Sequence, residues 1–385
     1  MDIKQLYPLV NASTQEAIGE TGVINEDLSN LVDVGNAVFN ADAVDRYVRS
    51  LVNHIGRVVL VDRVYAGSAP SVLMDGWEYG SIMEKIRVEL PEAVENESWE
   101  LVDGTSYDPN IFRKPRVSAK FFNKRVTFEI DISVTEMQVK QSFSNATQLN
   151  SFVSMIFNSV ENSMTLKLDS LVMRTINNMT AETLYDQYKT GEYGGGSGAR
   201  AVNLLYLYNQ KFPNNTITAA EALVSPEFIR FASMTMANYV NRLATFSKLF
   251  NVGKTAKFTP KDRLHVVMLS DFQSAAGAYL QSDTFHEKFT ALPDAESVAF
   301  WQGSGQNYTF DEISAIDVRT ASGHDVSVGG ILCVMFDRDA LGVTNMDRRV
   351  RSNVNGKAEF INYFYKYDAG YFNDLDENFV VFFVA

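Results

Sequence analysis

The sequence has little cysteine, glycine and proline, and fewer basic than acidic residues. The single cysteine, Cys333, cannot form an internal disulfide, and its apolar neighbours predict a buried thiol in a reducing compartment. The 23 glycines and 9 prolines are about 8% of the chain, below the roughly 12% of average proteins, which excludes collagenous and low-complexity classes. A net charge of −13 disfavours a protein that wraps nucleic acid, because phosphate binding needs clustered positive charge.

Long apolar runs are also missing. No window approaches the roughly 20 apolar residues that cross a bilayer, and the N-terminus lacks the basic start and apolar stretch of a signal peptide. We therefore expect no membrane partner and synthesis in a cytoplasm. The chain instead has 46% hydrophobic and 12% aromatic residues, which is typical of a folded protein with large cores. At about 150 residues per domain, its length predicts about two to three domains.

No pattern of residues indicates an active site. The histidines are far apart in sequence and are His54, His265, His286 and His324. None has a second histidine at metal-ligand spacing, and no zinc or calcium motif is present. Residues 252–255 (VGKT) resemble a phosphate loop, but Lys248 stands where that motif requires glycine. We expect no catalytic residue, no cofactor and no metal.

The N-terminal part has no firm hydrophobic period. Residues 1–40 are polar with scattered apolar positions, which predicts an extended arm. Apolar residues at spacings of three and four over 44–55 then predict a helix, and 58–65 reads as a strand.

A long β-hairpin is predicted between residues 75 and 134. Apolar and polar residues alternate strictly over 126–134 and more loosely over 82–90, which predicts two arms that each have one solvent-exposed face. Prolines and glycine between the arms predict an irregular tip.

Charge is segregated along this hairpin. Residues 88–108 carry seven acids and no base, whereas 109–128 carry six bases and no acid. In one interpretation the acidic arm faces the basic arm, where exposed pairs contribute only about 0 to 1 kcal/mol each. In the other, which we favour, complementary charge on a neighbouring subunit holds the hairpin. The candidate interface residues are Glu92, Glu95, Glu97, Trp99, Glu100, Arg113, Lys114, Arg116, Lys120, Lys124 and Arg125.

The longest helical pattern follows the hairpin. Apolar residues recur at three and four from Leu149 to Ile176, and no glycine or proline interrupts them. A helix over 146–178 would be roughly 50 Å long. It is either a rod of an elongated molecule or an ordinary helix of a bundle.

The rest of the chain mixes α and β patterns and ends in strands. Buried strands are predicted at 264–269 and 331–336, and the tail reads as strands at 360–367 and 379–384. The last of these is so apolar that the chain's own sheet or a neighbouring molecule must cover it.

This order of elements resembles the Hong Kong 97-type major capsid proteins of tailed bacteriophages over essentially the whole chain. The resemblance implies an α+β fold with an N-arm, an extended E-loop hairpin, a spine helix in a peripheral (P) domain and an α/β axial (A) domain. The implied units are 1–60 (N-terminal arm), 61–134 (E-loop hairpin and flanking strands), 135–202 (P domain with spine helix), 203–335 (A domain) and 336–385 (C-terminal return into the P-domain sheet).

The same resemblance implies a structural, non-enzymatic protein of the virion. Its subunits would assemble as pentamers and hexamers, in the host bacterial cytoplasm, into an icosahedral shell. The shell would enclose double-stranded DNA without sequence-specific binding. Portal, scaffolding and decoration proteins are further candidate partners, and the short N-terminal region predicts a separate scaffolding protein or none.

Two alternatives remain open from the sequence. An encapsulin-like nanocompartment shell has the same fold but encloses a cargo enzyme instead of a genome. A soluble α/β enzyme with dispersed catalytic residues is the alternative from another class, and a deep pocket lined by titratable groups would favour it.

Overall fold

A computed structural model of the chain describes most of its residues. The described ranges, with a few single positions between them, are 3–19, 23–25, 29–40, 69–74, 83–88, 100–106, 114–135, 146–189, 191–281, 293–302 and 308–385. The helices are α1 (Ile3–Ile18), α2 (Leu31–Asn40), α3 (Ala146–Gln187), α4 (Leu204–Lys211), α5 (Pro226–Leu243), α6 (Ser270–Gln281) and α7 (Phe310–Ile313). The strands are β1 (Leu73–Met74), β2 (Met83–Val88), β3 (Val117–Phe122), β4 (Arg125–Thr135), β5 (Ala201–Asn203), β6 (Leu264–Leu269), β7 (Glu296–Val298), β8 (Ile316–Arg319), β9 (Asp325–Val328), β10 (Ile331–Asp337), β11 (Leu341–Asn355), β12 (Phe360–Asn373) and β13 (Phe379–Phe383).

Helix α3 is the longest element, and residues of both large sheets pack against it. Its 42 residues span about 63 Å at 1.5 Å per residue. The apolar stripe, with Ile176 fully buried, lies in one core with both sheets. The predicted helix over 146–178 is confirmed, but it continues to Gln187. The extension mixes fully buried apolar residues, such as Met179 and Leu184, with buried threonines, which weakens its helical period in the sequence. The Thr183 hydroxyl donates to the Met179 carbonyl at 2.8 Å, so this buried polar group is hydrogen-bonded within the helix.

The five-stranded sheet has the order β5-β13-β10-β6-β7 and is covered on both faces. Strands β10 and β13 are buried along their whole length. Because side chains alternate, Phe379, Val381 and Phe383 lie in the core with α3, while Val380 and Phe382 lie in a second core with α4, α5 and α6. The two predicted buried strands are confirmed, and the chain covers its apolar end with its own sheet.

The four-stranded sheet has the order β1-β11-β12-β4. Its β12 alternates, with Tyr363, Tyr365 and Tyr367 buried in the core with α3. The C-terminal segment 336–385 is thus divided between two sheets rather than returning into one. The two strands differ in their side chains, because β12 has one apolar face whereas β13 is apolar on both faces. Strand β13 therefore fits the sheet that is covered on both sides.

The prediction of an extended N-terminal arm is wrong for the described part of residues 1–40, which forms α1 and α2. The buried face of α1 contains Val10 but also Ser13 and Thr14, both fully buried. The Thr14 hydroxyl donates to the Val10 carbonyl at 3.0 Å, so the hydroxyl is hydrogen-bonded although it is buried. A buried face that mixes polar and apolar residues gives no clear helical period in the sequence.

The hairpin prediction is wrong in its second arm. Strand β2, inside the first predicted arm (82–90), pairs antiparallel with β3. The alternating segment 126–134 lies in β4, which pairs with β12 instead. Alternation shows that one face of a strand is buried, but it does not identify the neighbouring strand.

Two further predictions fall mainly outside the described residues. The strand over 58–65 lies wholly outside them. Of the helix over 44–55, three positions are described, and these are helical.

Candidate subunit-interaction surface

Strands β2 and β3 form a two-stranded ribbon with two unlike faces. Lys85 lies opposite Lys120, and Ile86 lies opposite Ala119. Since successive side chains point to opposite faces, the two lysines share one face, and Ile86 and Ala119 share the other. The inner face carries Lys85, Arg87, Ser118, Lys120 and Phe122. The outer face carries Ile86, Val88, Val117, Ala119 and Phe121, with one carboxylate, Glu84, opposite Phe121.

Asp374, directly after β12, attaches the inner face to the rest of the chain. Its carboxylate lies 3.3 Å from Nζ of Lys85 and 3.0 Å from Nζ of Lys120, and its side chain is only 1% exposed. Burial alone would raise the pKa of the Asp374 carboxyl. The hydrogen bond from Lys120 and the charge of Lys85 outweigh burial and hold that pKa below its ordinary value. Asp374 is therefore ionised at neutral pH and binds both lysines.

Two more carboxylates, Asp376 and Glu377, follow Asp374, and we call these three residues the acidic turn. Arg87 donates to Asp376 at 2.9 Å and to Glu377 at 3.3 Å, and Lys257 lies 2.9 Å from Glu377. Burial lowers the pKa of the Lys120 ammonium, but hydrogen bonds to the two aspartates of the turn raise it above its ordinary value. The inner face is thus held by charge to its own chain.

The outer face has no such cover within the described part of the chain. Its four large apolar side chains are between 58% and 67% exposed, and they are Ile86, Val88, Val117 and Phe121. An isolated two-stranded ribbon is marginally stable in water, and a contiguous exposed apolar patch marks an interaction site. The outer face is therefore a candidate surface for contact with another molecule.

The predicted interface residues fall into three groups: exposed residues, residues outside the described ranges, and one lysine paired within its own chain. The exposed ones are Glu100, Lys114, Arg116, Lys124 and Arg125. Those outside the described residues are Glu92, Glu95, Glu97, Trp99 and Arg113. Lys120 binds the acidic turn of its own chain, a partner that neither sequence-based interpretation includes.

Lys85, Arg87 and the acidic turn are not among the interface residues predicted from the sequence. The turn is visible in the sequence as an acidic run, DLDE over 374–377, between two apolar strands. Such a run in a short turn could have been predicted to bind a basic strand, but its position gives no indication of which one.

The described residues hold no group of three or more histidine, cysteine, aspartate or glutamate residues that could bind a metal. His324 stacks on Tyr185 with ring centres 4.0 Å apart, as a structural histidine would. Residues 252–255 form a turn packed on the acidic turn, where the Gly253 N–H donates to the Leu375 carbonyl at 2.8 Å. Of the helices in the described ranges, none is both long enough and apolar enough to cross a bilayer.

The family model of the Phi29-like phage major capsid protein matches residues 10–383 of the chain. The chain belongs to this family. It is a structural capsid protein of a tailed-phage virion, not an enzyme, and its subunits associate with one another in the shell. Comparison with curated proteins found no match.

Solved phage structures resemble this capsid protein at low identity. The capsid structure of Staphylococcus phage Andhra has 9% identity and a TM-score of 0.48, over 82% of this chain and 83% of that chain. A structure of native bacteriophage P68 that includes its head fibre and inner core protein has 8% identity and a TM-score of 0.48, over 85% and 86%. The capsid of cyanophage P-SCSP1u has 8% identity and a TM-score of 0.45, over 82% and 86%.

The order of elements in this capsid protein agrees with the predicted Hong Kong 97-like α+β fold. The described chain runs from N-terminal helices through the β2–β3 ribbon and the rod-like α3 to an α/β middle and a β-rich C-terminus. The family assignment favours the phage capsid over both the nanocompartment and the enzyme.

Proposed function

We propose that this capsid protein assembles as pentamers and hexamers into an icosahedral shell around double-stranded DNA, and that the β2–β3 ribbon is the arm that contacts a neighbouring subunit. The exposed apolar outer face carries this proposal. The inner face is fixed to the chain's own acidic turn, so the outer face is presented in a defined orientation. A second copy of the chain is the partner that a self-associating subunit always has available.

Charged side chains accompany the apolar surface in this arrangement. The predicted interface residues Glu100, Lys114, Arg116, Lys124 and Arg125 are exposed, as a polar rim around an apolar contact requires. The net charge of −13 is compatible with a closed shell that retains DNA without binding it tightly. Portal, scaffolding and decoration proteins are further proposed partners.

The units proposed for the capsid subunit are those implied by the sequence. They are an N-terminal unit (1–60) that contains α1 and α2, the E-loop with β4 as a flanking strand (61–134), the P domain (135–202), the A domain (203–335) and a C-terminal unit (336–385) whose strands are divided between the two large sheets.

A double substitution on the outer face tests the proposed contact. Ile86→Lys with Phe121→Lys places two charges on a surface that must be desolvated on assembly, so we expect folded subunits and few shells. The matched control, Ile86→Val with Phe121→Leu, keeps the face apolar and is expected to assemble. Particle yield is measured by electron microscopy and sedimentation, and folding by circular dichroism. Shells in normal yield from the lysine variant would contradict the proposal.

Charge reversal next to the ribbon tests the polar rim separately. Arg113→Glu, Lys114→Glu and Arg116→Glu together are expected to lower particle yield while the subunit stays folded, since reversed charges repel an acidic partner surface. Raised salt is expected to weaken the wild-type contact as well, because exposed charges are screened beyond about 8 to 10 Å at physiological ionic strength. An unchanged yield would remove the electrostatic part of the proposal.

A further inference from the structure

A pocket with a volume of about 650 Å³ lies where the ribbon meets the 246–263 segment, and we call it the root pocket. Its apolar wall contains Phe246 and Phe258, whose ring centres are 4.5 Å apart. Both rings are exposed, and Val88 of the outer face lines the same pocket. We call the two rings the aromatic pair. The root pocket is therefore continuous with the surface on which the proposed function rests.

The rim of the root pocket is basic in an acidic protein. Three of its cations are paired with carboxylates of the same chain, and they are Arg87, Lys257 and Arg263. The other two, Lys248 and Lys254, are exposed and have no ion pair among the described residues. We call these two the pocket lysines. Asp337, Asp339 and Glu377 also line the pocket, so its five cations and three carboxylates leave a net charge of +2 beside the aromatic pair.

The segment that carries Lys254 has a fixed conformation. Lys254 has a φ of 53°, in the left-handed region that residues other than glycine seldom adopt. The Asn251 side chain spans the turn, since its carbonyl accepts from the Thr255 N–H at 2.8 Å and its amide donates to the Thr255 carbonyl at 2.8 Å. The Thr255 hydroxyl donates to the Asp376 carbonyl at 2.8 Å, which ties the turn to the acidic turn. A preformed site of this kind loses little entropy on binding.

A matching segment lies elsewhere in the same chain. Residues 100–103 read Glu-Leu-Val-Asp, with two apolar side chains between two carboxylates. Leu101 and Val102 are 64% and 65% exposed, so this segment does not occupy its own chain's pocket. Its charge and its apolar centre are complementary to the pocket lysines and the aromatic pair.

We propose that the root pocket binds residues 100–103 of a neighbouring subunit. Leu101 and Val102 pack on the aromatic pair, and the flanking carboxylates lie beside the pocket lysines. Such a contact joins one surface of a subunit to a different surface of the next, and a head-to-tail contact of this type forms a ring when its rotation closes. The inference rests on the proposed function, because it names the acceptor surface through which the rings form.

Compensating charge reversal tests this contact. Two double variants reverse the charges on either side of the contact: Lys248→Glu with Lys254→Glu, and separately Glu100→Lys with Asp103→Lys. Each is expected to lower shell yield by about tenfold or more, because the contact between the root pocket and residues 100–103 is weakened at every copy in the shell. The combination of both sets is expected to restore the yield to within about threefold, because the charges are again opposite. Lys248→Arg with Lys254→Arg is the matched control and is expected to assemble. Failure of the combined variant to recover would overturn the proposal.

Failure of this inference is distinguishable from failure of the proposed function. If the Ile86 and Phe121 lysine variant does not assemble but the Lys248→Glu, Lys254→Glu variant assembles normally, the ribbon contact stands and the root pocket is excluded. Intact shells that have lost their DNA in the pocket-lysine variant would show a nucleic-acid contact, which also overturns the proposal.

A disulfide reports the contact directly. Val102→Cys with Phe258→Cys is expected to give a ladder of covalent oligomers in oxidised shells on a non-reducing gel. The native Cys333 is fully buried, so it does not compete. Each single-cysteine variant is expected to give no ladder. Only an intramolecular bond, or no bond in assembled shells, would contradict docking between subunits.

Discussion

At the scale of single residues, Asp374 gathers two lysines of the ribbon around a carboxylate that is almost completely buried. Exposed ion pairs contribute little to stability, but a buried carboxylate that loses its charge leaves its partners without compensation. Lys85 and Lys120 belong to different strands, so the single carboxylate joins both strands of the ribbon to the body of the subunit.

We expect Asp374→Asn to lower the free energy of unfolding by about 1 to 3 kcal/mol, because two charge-assisted hydrogen bonds are lost from a buried site. Asp325→Asn is the matched control. Its carboxylate is exposed and lies 3.9 Å from Arg319, so its effect is expected to stay below about 0.5 kcal/mol. Urea denaturation of unassembled subunits measures both. Equal midpoints for the two variants would contradict the role given to Asp374.

The same carboxylate makes the attachment sensitive to acid. Its pKa in the folded subunit lies below its ordinary value. Its contribution is therefore complete above about pH 5 and is lost as the pH falls below about 3.9 and through the folded pKa. Between pH 7 and pH 3 the wild type is expected to lose more unfolding free energy than Asp374→Asn. Parallel pH curves for the two proteins would refute this assignment.

At the scale of elements, α3 is the part on which both sheets depend. Residues of the four-stranded and the five-stranded sheet share one core with this helix. A cavity in that core therefore weakens the packing of both sheets at once, whereas a change on the exposed side of α3 affects neither.

We expect Ile176→Ala to lower the free energy of unfolding by about 2 to 5 kcal/mol, the usual range for truncating a fully buried aliphatic side chain. Leu166→Ala, on the exposed side of the same helix, is expected to change stability by less than about 0.5 kcal/mol. Thermal or urea unfolding of the unassembled subunit measures both. A small change in the free energy of unfolding for Ile176→Ala would show that the two sheets do not depend on a core shared with α3.

The elements differ in how much of them the sequence predicts. Strands β10 and β13 are continuous apolar runs, and α3 has a sustained helical period, so local pattern is sufficient for them. The buried serine and threonine of α1 hide its helix. The partner of Lys120 is Asp374, 254 residues further along the chain, and no local pattern can indicate a pairing over that distance.

At the scale of the whole molecule, the capsid subunit pairs the charges on the inner face of its ribbon with its own acidic turn, and the apolar side chains of the outer face are exposed. The sequence predicted a hairpin that a neighbour holds by charge, whereas the structure shows that the chain's own acidic turn holds the inner face. The surface proposed for a neighbour is largely apolar, with charges at its rim. The proposed contact thus combines apolar burial with charge pairing.

Cryo-electron microscopy of assembled shells tests this account most directly, because it shows what covers the outer face. We expect Ile86 and Phe121, which are 67% and 64% exposed in the subunit, to be buried against a neighbouring copy of the chain. A shell in which these side chains remain in solvent, or are covered by their own chain, would contradict the account.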